Sequence, residues 1–299
     1  MKQDRLALLG NLLSMLIFGT IGIVRHYMAL PSGVIAFFRG VIGSLFLLAV
    51  MALTKKKGGT DGIRQNLVRL ILSGGILGFN WILLFEAYNY AGVAVATLCY
   101  YLAPTFIILA SPIFFRERLT PVRIVCAALS LLGMVMVSGV FGGGGEGSNG
   151  TLGILLGLAA ALLYASVVLL NKSIHGVRPL TRSTAQLIIS AAVLLPYLVV
   201  RGEFAMIDTA SPAFPRSVIL LLVAGVVHTG IAYALYFASL EKLKAQTAAL
   251  FSYVDPVTAV ILSALLLKER MDIFGILGAF LIIGAALAAE LLPETERAK

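Results

Sequence analysis

The sequence predicts an all-α polytopic membrane protein, ten transmembrane helices arranged as two inverted five-helix repeats. Three observations predict it: an apolar composition, apolar runs of membrane length at short intervals, and similarity between the two halves. Apolar residues make up 60% of the 299 and charged residues only 12%, against about a quarter charged in soluble domains. Mean hydropathy is +0.99. The surplus of +9 does not indicate nucleic acid, because the Lys and Arg residues sit in short links between apolar runs, where they set topology.

A helix needs about 20 apolar residues to cross the hydrocarbon. That ruler gives crossings at Leu6 to Val24, Ser32 to Leu53, Leu67 to Asn89, Ala91 to Phe115 and Pro121 to Val140. Five more follow at Thr151 to Leu170, Ser183 to Val200, Ser217 to Leu240, Ala245 to Leu267 and Ile273 to Leu292. The first run is long for a signal peptide and lacks a clear small-x-small cleavage site, so it reads as a transmembrane helix. The run from Leu67 to Phe115 is twice membrane length, and it folds back within EAYNYAGVA, where Asn89 and Gly92 suit a turn.

Counted from a cytoplasmic N-terminus, about three quarters of the basic residues fall on one side of the membrane, which places both termini in the cytoplasm of a multi-pass plasma (inner) membrane protein. The links carrying Arg25, Arg201, Arg216, Lys268 and Arg270 lie on the outer side. FGGGGEGSNG at the midpoint lacks the GK[ST] ending of a phosphate loop and reads as a flexible linker. The chain thus divides into repeats at 1–140 and 151–299 joined by a linker at 141–150. Cys99 and Cys126 lie in apolar runs without metal or disulfide spacing. No cofactor or metal is implied.

The halves align. YLAPTFIILASPIFFRERL (Tyr101 to Leu119) lies over YVDPVTAVILSALLLKERM (Tyr253 to Met271), pairing Pro104 with Pro256 and Glu117 with Glu269. A weaker match places Gln186 opposite Arg39. Five crossings per half is an odd number, so the second half enters the membrane upside down. Inverted repeats of this kind can exchange conformations around a site at their interface.

Several features together resemble the EamA family of the drug/metabolite transporter superfamily. These are the ten runs in two halves, FGT in the first helix, AFFRG in the second, and the doubled pattern of proline, FFRERL or LLKERM, then a Gly-rich span. The resemblance covers nearly the whole chain and implies the ten-helix fold and carriage of small metabolites, often amino acid export. Phe18 stands before Gly19 where the family commonly has Trp, which argues against copying a substrate from any one member.

The candidate site lies at the paired prolines. Pro256 removes a backbone donor and crowds the carbonyl of Ser252, a group that lipid cannot satisfy, and Pro104 repeats the feature. The two prolines are either helix breaks that line the site or plain kinks; the duplication favours the former. Asp255 costs roughly 2.5–3.5 kcal/mol at the bilayer centre on insertion scales and should face a cavity or a partner. His228, at similar depth, either forms a proton-binding pair with it or locks two helices through a neutral hydrogen bond. Arg39 either pairs with Glu86 or snorkels to the headgroups.

Asn80, Trp81, Tyr100, Tyr101, Tyr164, Tyr233 and Tyr253 share this depth. Some are packing, and the others line a cavity for flat or amphipathic solutes or cage a quaternary amine. The substrate-contact set is therefore Asn80, Trp81, Tyr100, Tyr101, Tyr253, Asp255 and His228. The leading function is a secondary transporter working by alternating access, exporting amino acids or related metabolites. Its partners are the lipid bilayer, a small-molecule solute and a candidate coupled proton, and it acts as a single chain. Uptake of an organic cation such as choline is the alternative. A membrane enzyme fits poorly, because HExxH, GxSxG and nucleotide motifs are all missing.

Overall fold

The structure is a computed structural model and describes residues 2–54, 61–115, 120–137, 147–240, 242–243 and 251–291. The described residues are helical almost throughout, and the first half comprises α1 (Lys2–Gly19), α2 (Ile21–His26), α3 (Ser32–Leu53), α4 (Asp61–Gln65), α5 (Leu67–Tyr100), α6 (Ala103–Phe115) and α7 (Pro121–Val137). The second half comprises α8 (Gly147–Lys172), α9 (Pro179–Arg201), α10 (Phe214–Val223), α11 (Ala232–Leu240), α12 (Val254–Leu262) and α13 (Ile273–Leu291). A π-helical turn, Ala224–Ile231, joins α10 to α11, and a second, Ser263–Leu267, extends α12.

Six segments are long and apolar enough to span a membrane: Arg5–His26, Ser32–Leu53, Leu67–Ala110, Gly150–Lys172, Pro179–Arg201 and Phe214–Ser239. Ile124–Val137, Val254–Leu267 and Ile273–Ala288 are shorter apolar helices. The last four residues of the expected linker, 147–150, are helical, and 141–146 lie outside the described residues, as do Glu117 and the start of the crossing expected from Ala245.

Side-chain placement follows the logic of a protein in lipid. On α1 the leucines at 6, 9, 13 and 16 are exposed at helical spacing, while Asn11 and Ser14 are fully buried. Asn11 donates to Ser239 at 3.0 Å and so ties α1 to α11. Large apolar residues also cover the outward face of α7, at Ile124, Leu131, Leu132 and Val135, with Ser130 turned inward. Polar groups face the bundle because hydrocarbon offers them no partner.

The double-length run folds back where the sequence suggests. Tyr100 and Asn80 are twenty residues apart and would be about 30 Å apart along a straight helix, yet the Tyr100 hydroxyl lies 3.4 Å from Asn80 Oδ1. The reversal is at Gly92, with φ 76° and ψ 170°, the only non-helical residue inside α5. That conformation is essentially restricted to glycine. The helix resumes at Val93, and its first amides are capped from the other half: Glu269 accepts from the N–H of Val93 at 2.8 Å and of Ala94 at 2.9 Å.

One end of the bundle therefore gathers Gly92 and Glu269 with Arg25, Ser32, Glu203 and Ser217, since Arg25 donates to Ser32, the Ala29 amide donates to Ser217, and Glu203 lies at the N-terminus of α3. The opposite end gathers Gly62, Asn66 and His175. Gly92→Ala is expected to destabilise the fold by about 1–3 kcal/mol, because an added Cβ would also meet Glu269 Oε1 at 2.8 Å. The reading is the melting temperature in detergent, and an unchanged melt would show that the reversal is held elsewhere.

Candidate functional site

Both prolines follow a short irregularity in the helix. At the end of α5 it takes in Tyr101 and Leu102, and Pro104 lies in the first turn of α6. In the second half it is at Tyr253, and Pro256 lies in the first turn of α12. The amides of Phe106 and Val257 bond back across these places to the carbonyls of Leu102 and Tyr253. The carbonyl of Ser252, four residues before Pro256, accepts the Tyr101 hydroxyl at 3.3 Å. The break in one half satisfies the break in the other.

Tyr101 also lies within hydrogen-bond reach of the Asp255 carboxylate. Asp255, Tyr100, Tyr101 and Tyr233 are half-buried beside the two interruptions, and Tyr164 is 38% exposed. The rings of Tyr100 and Tyr164 lie 5.4 Å apart, and those of Tyr100 and Tyr101 6.4 Å apart.

Three residues of the expected contact set are packed away. Asn80 is fully buried, donates to the Ala160 carbonyl and receives Tyr100, so it fastens α5 to α8. Trp81 and Tyr253 are also buried. Trp81 forms a floor beneath Arg39, whose guanidinium carbon stands 4.4 Å from the Trp81 ring centroid and 5.3 Å from that of Phe85.

Two expected pairings do not form. His228 does not meet Asp255; its Nε2 lies 2.8 Å from Thr20 Oγ1, and its Nδ1 faces the Val223 carbonyl at 3.4 Å. Thr20 Oγ1 also lies 2.7 Å from the Ile17 carbonyl. The FGT stretch therefore serves two contacts, because Gly19 lies against the backbone of Asp255, where a Cβ would approach its carbonyl oxygen to 2.6 Å. Equal depth put His228 and Asp255 at one level, but they face different neighbours.

Arg39 does not pair with Glu86 and does not snorkel. Its Nε donates to Thr229 Oγ1 at 3.1 Å, and Thr229 donates to the Ala224 carbonyl at 3.0 Å. That carbonyl lies five residues back, in the π-helical turn, a feature frequent at functional sites. Glu86 instead receives Asn89 at 3.3 Å and lies within electrostatic reach of Arg25 and Glu203. Gln186, aligned with Arg39, is fully engaged in the second half, donating to Ser73 and Asn171 at 2.7 Å each.

Thr20, Thr229, Glu203 and Glu269 were missed as functional residues, although the repeated Glu of FFRERL and LLKERM marked Glu269. Among the described residues, no cluster of His, Cys, Asp or Glu is arranged to hold a metal.

A polytopic helical bundle with paired irregularities at corresponding prolines has features of a solute transporter. The chain matches the EamA-like transporter family over residues 5–139 and 151–289 and belongs to it. It is 30% identical over 287 residues to the uncharacterized transporter YxxF of Bacillus subtilis, covering 96% of this chain and 90% of that one. It is 24% identical to protein RarD of Escherichia coli over 87% of this chain and 86% of that one. It is 29% identical to a probable amino-acid metabolite efflux pump of Escherichia coli, over 67% of this chain and 68% of that one. A protein of known crystal structure superposes with a TM-score of 0.65 at 21% identity, covering 95% and 96% of the two chains, and shares the fold.

Glu203 gives the assembly a pH dependence with a definite sign. It lies beyond the end of α9, within hydrogen-bond reach of the Gly33 and Val34 amides, with Glu86 and Arg201 as its charged neighbours. Burial pushes its carboxyl above the usual glutamate range, against the pull of the two amides. Its contribution to the packed state is therefore fullest below the ordinary glutamate range and is lost as pH rises through the raised value. Relative to Glu203→Gln, the wild-type melting temperature should rise as pH is lowered from neutrality towards 5. A difference independent of pH would contradict this.

Proposed function

We propose that the protein is a secondary carrier that exports small amphipathic metabolites, amino acids and their analogues first, by alternating access of two inverted five-helix repeats. The observation that carries this reading is the contact of Tyr101 with the Ser252 carbonyl, which joins the interruption of one half to that of the other. Beside it are half-buried tyrosines and a carboxylate, Asp255, that no basic residue neutralises among the described residues. The contact of Tyr101 with the Ser252 carbonyl supports a two-fold arrangement of the repeats, because Ser252 is next to Tyr253, the residue aligned with Tyr101. The two stretches that match the family support it too, as does the gathering at one end of loops that the odd-helix count places on one side.

In this reading both termini are cytoplasmic and the end bearing Gly92, Glu203 and Glu269 faces outward. Glu203 and Glu269, both from the second half, cap helices of the first. These caps tie the two halves together at the outer end. Amino acids come first because a 29%-identical relative is named a probable amino-acid metabolite efflux pump. The tyrosines favour a second reading, carriage of an organic cation such as choline, through cation-π attraction.

Flux of radiolabelled solutes into sealed vesicles holding only the purified protein tests transport directly. Carriage of an amino acid is the expected result, and an absence of flux for every metabolite tested would remove the reading. Asp255 is the candidate proton site, since protonation would neutralise it. Asp255→Asn should then abolish accumulation driven by a pH gradient while leaving downhill exchange intact. An Asn variant that still accumulates solute would assign the coupling elsewhere.

A further inference from the structure

Arg39 is 5% exposed and carries a full positive charge into the membrane interior. A cation at that depth costs roughly 2.5–3.5 kcal/mol even on the mildest scales, and buried charges ordinarily have a counter-charge. Among the described residues Arg39 has none. The groups that act on it electrostatically are the phenols of Tyr233, Tyr88 and Tyr100, and it acts in turn on His228.

Its hydrogen bonding is equally incomplete. Nε alone is engaged, with Thr229. The two terminal nitrogens, with four N–H groups between them, have no partner among the described residues. They are not sealed in either, for the buried atoms left without partners include Nε of Arg25 and of Arg182 but no atom of Arg39. Tyr100 and Tyr233 are their electrostatic neighbours.

The fork is held in one plane. Trp81 lies beneath it at 4.4 Å, Phe85 at 5.3 Å, and Thr229 fixes its Nε edge. A guanidinium presenting its terminal N–H pair in a fixed plane matches the two oxygens of a carboxylate. Tyr88 is within electrostatic reach of both Arg39 and Asp255. No ion pair joins the two among the described residues; Arg39 donates to Thr229 instead.

We propose that Arg39 is the anchor for the carboxylate of the transported solute, which makes the site selective for α-amino acids over amines that lack a carboxylate. This rests on the carrier reading above and names its substrate chemistry. A zwitterion would place its carboxylate on Arg39 and its ammonium towards Asp255, with the tyrosines around its side chain. Choline satisfies Asp255 but leaves Arg39 uncompensated.

Trp81 is the only tryptophan in the chain, so its emission reports on occupancy of the guanidinium directly above it. The test titrates purified protein in a low-salt, carboxylate-free Tris sulfate buffer with L-leucine, L-threonine and L-alanine. Their decarboxylated amines, 3-methylbutylamine, 1-aminopropan-2-ol and ethylamine, serve as comparison, with choline and sodium chloride as further arms. At least one amino acid should give a saturable change in emission, with its amine binding about tenfold more weakly or worse.

Arg39→Lys should weaken the amino acid's binding by about tenfold, because the charge remains without the fork, and Arg39→Gln should abolish it. Three outcomes would overturn the proposal: amines or choline matching the amino acids, chloride giving the same response as a carboxylate, or no amino acid changing Trp81 emission. The comparison of amino acid with amine is made on the wild-type protein, so it stands even where Arg39→Gln fails to fold. The vesicle flux assay separates the two readings, since a carrier of other solutes would retain flux while showing no response of Trp81 to carboxylates.

Discussion

The centre of the molecule depends on a single constraint, that backbone groups freed by a helix break inside hydrocarbon need a partner from within the protein. The Tyr101 hydroxyl meets it for the Ser252 carbonyl at 3.3 Å. Because Tyr101 lies at the break of the first half and Ser252 at the break of the second, neither interruption is complete without the other half. The same rule governs the reversal at Gly92, whose following amides are received by Glu269 from across the molecule. Contacts of this kind allow irregular backbone deep in the bundle.

Around that centre the polar side chains divide into those that close the structure and those that leave it open. Asn80, Gln186 and Asn11 are spent on helix-to-helix bonds, and their burial is nearly complete. Such bonds contribute on the order of 0.6 kcal/mol each in membrane proteins, so no single one holds the fold. Arg39, Asp255 and the tyrosines are different, since each is anchored at one point and keeps another point unspent. The unspent part is what a solute can meet.

The elements legible in the sequence are those fixed by local chemistry. Gly92 could be picked out because few residues turn a membrane helix back, and Pro104 and Pro256 because a missing amide must be placed somewhere tolerant. The obligation on the Ser252 carbonyl was legible too, although not the identity of its partner. Depth along a helix could be counted, so Arg39, Trp81, Tyr101, His228 and Asp255 were found. Depth says nothing about which way a side chain points, and both expected pairings, Asp255 with His228 and Arg39 with Glu86, failed for that reason.

The π-helical turn escaped altogether, because it adds one residue to a helical turn without a characteristic amino acid. Its effect is to rotate His228 and Thr229 relative to an unbroken helix, so helix counting misplaces every side chain near it.

The separation of Arg39 from Asp255 is the feature that most constrains what the proposed site can hold. Had the two met, their charges would have cancelled and a solute would have had to break a buried ion pair to bind, at a penalty of several kcal/mol. Instead the aromatic floor and Thr229 hold Arg39. On the proposed reading, a solute with both charges would relieve two desolvation penalties at once, while a solute with one would leave the other exposed to low dielectric. Discrimination of this kind arises from the empty site's own instability, so it needs no close fit to the solute's side chain. A site beside tyrosines can thus accept side chains of different shape while still demanding the charged headgroup.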